Sequence, residues 1–266
     1  MYLQIWLLAM ALLAMAAFAC RDIFSSRHVS SARIQKQGSS PFLGAFPMEF
    51  AYWLLAPVGR LAAYLKLSPN LFSWTCLALG FGSGVAAALG SVPLAGGLSI
   101  VSALFVTLYG MVARSRGIAS DGGEVLDAAV DRYTEFFFLA GLCIYYRAEP
   151  WAMVLVQAAL LGSFLVSYSQ AKAEAMNVDI PKGWMRRPER AAYLGGGAFL
   201  SPIVTVWLEA GDPMPLHYPL LFAVLLVAIF ANATAIRRFV VLYHAMKDKP
   251  SKALPPTHAA NTGKPN

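Results

Sequence analysis

The chain has 266 residues, 58% of them hydrophobic and only 13% charged, against roughly 25% charge in soluble domains. That deficit excludes a soluble globular protein and fits one that lives in lipid. The net charge of +7 would suggest nucleic acid in a soluble chain, but no basic recognition helix and no stacking platform accompanies it, which argues against nucleic-acid binding.

The first apolar run is Leu3 to Ala19. No Lys or Arg precedes it, and Arg21, Arg27, Arg33 and Lys36 follow, the reverse of a secretory signal's charge order. Residues 1–20 are therefore expected to form an uncleaved transmembrane anchor with its N-terminus outside. Ala17, Phe18 and Ala19 make a poor lipoprotein signal before Cys20. Cys20 reads as a buried apolar thiol ahead of a palmitoylation site. Cys76 and Cys143 are far from it and from each other, so no disulfide framework or zinc spacing exists.

Residues 21–45, rich in Ser and Arg, are expected to be a cytoplasmic linker. Residues 46–67 are apolar but interrupted by Glu49, Arg60 and Lys66, with Tyr52, Trp53 and Tyr64 among the apolar positions. That composition predicts an amphipathic helix lying in the membrane interface; residues 50–59 are apolar enough to leave a further span open. Ser68-Pro69-Asn70 is a helix-start signal. Six apolar runs follow, at about 70–90, 94–113, 125–146, 150–171, 191–209 and 216–236, each near the ~20 residues that cross ~30 Å of hydrocarbon. Together they make a six-span membrane domain over residues 68–240, and Gly80, Gly82, Gly84 and Gly195 to Gly197 allow close helix approach. The tail, residues 247–266, has no apolar period and is expected to be disordered.

Charge sets the orientation. With the N-terminus outside and seven spans threaded, Arg60, Lys66, Arg114, Arg116, Lys172, Lys182, Arg186, Arg187, Arg190, Arg237 and Arg238 all fall on the cytoplasmic side. Of the 21 basic residues, Arg147 alone falls on an outer loop, and Arg132 lies at a span edge.

One stretch concentrates ionisable groups at a span edge, where each costs free energy. It runs from Arg114 through Asp121, Glu124 and Asp127 to Asp131 and Arg132. Asp127 and Asp131 are four apart, so on a helix both project from one face, and Glu135 continues the line. Like charges at this spacing are tolerated by a bound cation, by Arg partners, or by water at the positive end of a helix. Mg²⁺ pairs a few carboxylates with substrate phosphates, and Gly110, Gly122 and Gly123 leave room for a bulky ligand against the backbone. A metal-bridged phosphate ester at the membrane face accounts for the set; a solvated helix start is the plainer account.

The stretch resembles the motif D-x-x-D-G-x-x-A-R-x8-G-x-x-x-D-x-x-x-D of the CDP-alcohol phosphatidyltransferases. Gly110, Ala113, Arg114, Gly123, Asp127 and Asp131 match with every spacing kept, while Val106 and Tyr109 stand where the family has its first two aspartates. Ser68-Pro69-Asn70, Ser167-Tyr168 with Ala171-Lys172-Ala173-Glu174, and Arg187-Pro188-Glu189-Arg190 resemble further family segments. The likeness covers about residues 46–240. It implies an all-α membrane fold: a six-helix transmembrane bundle preceded by an interfacial amphipathic helix, with the N-terminal anchor as an extra element.

The resemblance also implies an activity. A phosphatidyl or similar phosphoalcohol group would pass from a CDP-alcohol such as CDP-diacylglycerol to an alcohol acceptor, with release of CMP, in phospholipid biosynthesis. Asp131 would be the general base and Asp127 and Asp131 the metal ligands, with Gly110, Ala113, Arg114 and Gly123 at the nucleotide. The cofactor would be Mg²⁺ or Mn²⁺. Two carboxylates suffice for one ion with waters and phosphate oxygens, not for two, and none would be held if the chemistry has been lost. The alternative is a catalytically inactive member, a pseudoenzyme that binds lipid, nucleotide or a protein partner. Members that use phosphorylated inositol tend to carry Lys where Gln170 stands, which points away from a phosphorylated acceptor. Lys172, Arg187 and Arg190 could still hold an anionic acceptor, and with Lys182 and Arg186 could equally contact anionic lipid headgroups. His28, His217, His244 and His258 are scattered and form no ligand set. A homodimer in a bacterial inner membrane, its polar site facing the cytoplasm, is the family expectation.

Overall fold

The computed structural model describes residues 10, 13–20, 44, 46–117, 120–211 and 214–247. The expected linker and tail fall almost wholly outside these residues, as does most of the expected anchor. Residues 13–20 are helical, and Phe18 is buried among the rings of Phe46, Phe50 and Trp53. Cys20 is exposed rather than buried, because it lies past the turn that makes this contact.

Among the described residues seven α-helices follow: α1 (Phe46–Tyr64), α2 (Pro69–Ala88), α3 (Val92–Ser115), α4 (Asp121–Tyr145), α5 (Pro150–Met176), α6 (Arg187–Leu208) and α7 (Tyr218–Lys247). A proline in the first turn opens α2, α3, α5 and α6, where the missing N–H costs nothing and φ is preset. Asn177 ends α5 in the left-handed conformation, with φ of 51°, as helix caps often do.

α2, α3, α5, α6 and α7 are long and apolar enough to cross a membrane. α4 is as long, but its first half carries Asp121, Glu124, Asp127, Asp131, Arg132 and Glu135, and it is not among the helices apolar enough to cross by length and composition. Phe81, Leu161, Phe222, Ile229 and Ile236 lie exposed along the bundle, as lipid-facing side chains do. The protein is an integral membrane protein of all-helical fold.

Helices pack on both successive and more distant partners in the chain. α2 packs on α3 and α4, α5 packs on α7, and α6 bridges α3 and α7. The main core joins Phe138, Leu139 and Leu142 of α4 to Val156 of α5, Leu194 of α6 and Val224 and Val227 of α7. α1 contributes Leu55 and Ala62 to a second core with Phe72, Leu108, Tyr109 and Val112, and leaves Leu54, Val58, Leu61 and Tyr64 exposed.

Glycine seams set these distances. A Cβ on Gly141 of α4 would strike the carbonyl oxygen of Gly84 on α2, and one on Gly96 of α3 would lie 2.7 Å from the Gly195 carbonyl oxygen on α6. In lipid, where helices gain no hydrophobic drive from meeting, such backbone contact is what holds them together. The end of the bundle holding Tyr145 and Tyr146 is closed: their hydroxyls donate to the Pro215 and Leu216 carbonyls, each at 2.7 Å. Beside them His217 is buried, with its backbone N–H donating to Glu209 Oε2 at 3.1 Å and its Nδ1 3.2 Å from the Thr205 hydroxyl.

Gly141→Ala is expected to destabilise the chain by about 1–3 kcal/mol, the usual cost of overpacking. Gly196→Ala should be tolerated, since nothing lies within 4 Å of a Cβ there. Thermal unfolding midpoints of the two variants in one detergent compare them directly.

Candidate functional site

The opposite end of the bundle opens into a cavity of about 1390 Å³. The C-terminal turns of α3 and α5, the N-terminal turns of α4 and α6, and Arg238 of α7 surround it. Val106, Tyr109, Gly110, Ala113 and Arg114 line it from α3, and Asp121, Glu124, Asp127 and Asp131 from α4. Most of the motif residues singled out in the sequence thus meet around one space. Gly123 does not line the cavity; it lies under the Tyr109 hydroxyl.

α4 starts where it does because Ser120 caps it, its hydroxyl accepting from the Gly123 N–H at 3.1 Å, which satisfies one of the helix's free N–H groups. Acids in the next turns gain from the helix dipole, but Asp131 and Glu135 lie too deep for that. Glu135 is roughly 20 Å along the axis at 1.5 Å per residue. Two arginines of α6, one turn apart, meet them. Arg187 approaches Asp131 Oδ1 to 2.5 Å. Arg190 grips Glu135 with both prongs, Nε to Oε1 at 2.6 Å and Nη2 to Oε2 at 2.9 Å, and its Nη1 donates to the Met185 carbonyl at 3.2 Å.

Arg190 is therefore buried and committed, and does not line the cavity. Lys172 is exposed and outside the cavity wall. Those placements lend no support to an acceptor contact by either residue. Arg187 does line the cavity, beside Lys182 and Arg186. Gln170 also faces it and donates to Glu174 Oε1 at 2.7 Å.

Arg238, buried in the wall, donates to the Pro181 and Val166 carbonyls at 3.2 Å each, and Thr234 accepts from the Trp184 N–H at 3.2 Å. Together they pin the connection between α5 and α6 beneath the site. In the sequence Arg238 reads only as positive charge at a span end. Its one distinguishing signal is that an arginine so close to an apolar run needs partners.

The donor set fits one cation better than two. Val106 offers no donor atom, and the Tyr109 ring belongs to the apolar core of α1, α2 and α3. Among the described residues no three His, Cys, Asp or Glu side chains converge on a point. Asp127 and Asp131 do share the cavity wall, one turn apart, and two carboxylates with water and phosphate oxygens meet the needs of one Mg²⁺.

The family description CDP-alcohol phosphatidyltransferase matches residues 66–231. The chain is 30% identical over 221 residues to the phosphatidylinositol phosphate synthase of Mycolicibacterium smegmatis, covering 80% of this chain and 91% of that one. It is 32% identical over 155 residues to the enzyme of the same name from Corynebacterium glutamicum, covering 56% and 70%. The crystal structure of the Mycobacterium tuberculosis phosphatidylinositol phosphate synthase with CDP-DAG bound superposes with a TM-score of 0.60 at 23% identity, over 70% of this chain and 92% of that one. The same protein in complex with manganese and citrate also superposes with a TM-score of 0.60 at 23% identity, over 70% and 88%. At this identity the likeness of structures speaks for the fold alone.

Removing one member of the Arg190–Glu135 pair leaves a buried charge uncompensated, at a cost of about 3–5 kcal/mol. Glu135→Leu and Arg190→Met are each expected to lower the thermal midpoint in detergent sharply. The double variant should recover most of the loss, because both charges leave together.

Proposed function

The chain belongs to the CDP-alcohol phosphatidyltransferase family, and from that membership we propose that it is an active transferase using a CDP-alcohol such as CDP-diacylglycerol and an alcohol acceptor. The observation that carries the reading is the meeting of Asp127, Asp131, Arg114 and Gly110 on one cavity wall at one end of the bundle. The positive-inside distribution of charge supports placing that end on the cytoplasmic side of a bacterial inner membrane.

In this reading the acceptor hydroxyl oxygen attacks the β-phosphorus of the donor. A new P–O bond forms, the bond from that phosphorus to the bridging oxygen breaks, and CMP leaves with the electron pair. Asp131 accepts the hydroxyl proton, a contribution of ~10²–10⁴-fold. Arg114 holds the nucleotide's phosphates, and Gly110 lets the nucleotide lie against the backbone. Ala113 keeps that helix face low. Gly123 shares the nucleotide end of the site by its place in the motif. Asp127 and Asp131 would hold one Mg²⁺ or Mn²⁺, which when bound would supply positive charge to neutralise the diphosphate and polarise the phosphorus under attack.

A second reading has one observation in its favour. Val106 and Tyr109 replace two carboxylates, and Tyr109 has joined the apolar core, as expected of a member that has lost the chemistry and binds lipid, nucleotide or a protein partner.

Incubating purified protein with CDP-diacylglycerol, Mg²⁺ or Mn²⁺ and a panel of alcohols, and following CMP release, separates the two. Release that Asp131→Asn abolishes is the expected outcome. No release with any alcohol, but release after Val106→Asp with Tyr109→Asp, would establish the inactive member instead.

A further inference from the structure

The two rungs between α4 and α6 are unequal. Arg190 is held by both oxygens of Glu135 and by a backbone carbonyl, with 3% of its side chain exposed. Arg187 contacts Asp131 through Oδ1, and 31% of its side chain is exposed beside the cavity it lines. The upper rung is therefore fixed, while the lower arginine has room to swing. The carboxylate it holds has none: the Asp131 side chain is 15% exposed and its Oδ1 is fully buried.

A guanidinium and a divalent cation on one carboxylate repel each other, and the wall already carries Lys182, Arg186 and Arg238. We propose that Arg187 is a positioning residue that competes with the divalent cation for Asp131, so that the cation site assembles only when Arg187 is drawn to another anion. The proposal rests on the reading of Asp127 and Asp131 as the cation's holders. A diphosphate is the anion best suited to draw Arg187 away, because guanidinium pairs with phosphate oxygens in a two-pronged fork. The same diphosphate supplies the oxygens that complete the cation's shell. Donor and cation then enter together, and the donor-free protein binds the cation weakly. With only two of four motif carboxylates present, Arg187 supplies part of the charge balance for Asp131.

The test is Mn²⁺ binding to the full chain in detergent without nucleotide, read from the loss of the free-ion paramagnetic resonance signal. R187Q should bind Mn²⁺ about 10-fold tighter than the wild type, at the low end of what outer-shell partners contribute to metal affinity. R187K, which keeps a competing cation, should stay near the wild type. In the Asp131→Asn background R187Q should change nothing, because the contested oxygen's charge is gone. Equal or weaker Mn²⁺ binding by R187Q than by the wild type overturns the competition. Failure of both proteins to bind Mn²⁺ at all, with nucleotide or without, overturns the cation reading beneath it and the competition with it.

Discussion

The fork between Arg190 and Glu135 is the contact on which the rest depends. α4 must cross the bundle with acids along one face, and an ionised carboxylate that deep in a low-dielectric interior is too costly to stand alone. The guanidinium matches the carboxylate geometry in two short bonds, the strongest form such a pair takes. Its third donor is satisfied by the Met185 carbonyl. Once this rung is made, α6 is registered against α4. The next arginine toward the cavity, Arg187, then arrives at Asp131 without further adjustment, because residues three apart share a helix face.

The two ends of the bundle differ for a related reason. At one end tyrosine hydroxyls reach the carbonyls of the connection between α6 and α7, and the His217 backbone N–H donates to Glu209 Oε2. At the other, Arg114, Asp121, Glu124, Asp127, Lys182 and Arg186 line an open cavity between the helix ends. Glycine seams make the contrast possible. Gly84 against Gly141 and Gly96 against Gly195 bring backbones together in the body of the bundle, leaving the splay to the cavity end.

The site itself is half converted. Where the family motif has two carboxylates on α3, one position is a valine on the cavity wall and the other a tyrosine whose ring packs with Leu55, Phe72, Leu108 and Val112. Substitutions of this kind reduce the negative charge that two dications would balance. Arg187 beside Asp131 is consistent with that lower demand for positive charge.

Much of the fold was legible in the sequence. Apolar runs of spanning length predicted each helix of the bundle, because lipid demands a continuous hydrogen-bonded apolar helix, although α7 runs on to Lys247, well past the run's expected end at 236. α4 was the run least typical of a span, and its Asp121, Glu124, Asp127 and Asp131 line the cavity. The motif spacing identified the family and put Gly110 with Arg114 on one face of α3 and Asp127 with Asp131 on one face of α4, since residues four apart on a helix share a face whatever surrounds them. What the sequence left open was every relation between distant segments. Arg187 and Arg190 look alike there, as basic residues at a span end. Only the meeting of α4 with α6, across 55 residues of chain, makes one a buried strut and leaves the other facing the cavity. The same holds for Lys172, which matches a motif yet lies outside the cavity, and for Arg238, which matches none yet lines it. Local pattern determines which residues share a helix face; which face then meets which partner is decided by packing between helices, and no periodicity within one helix encodes it.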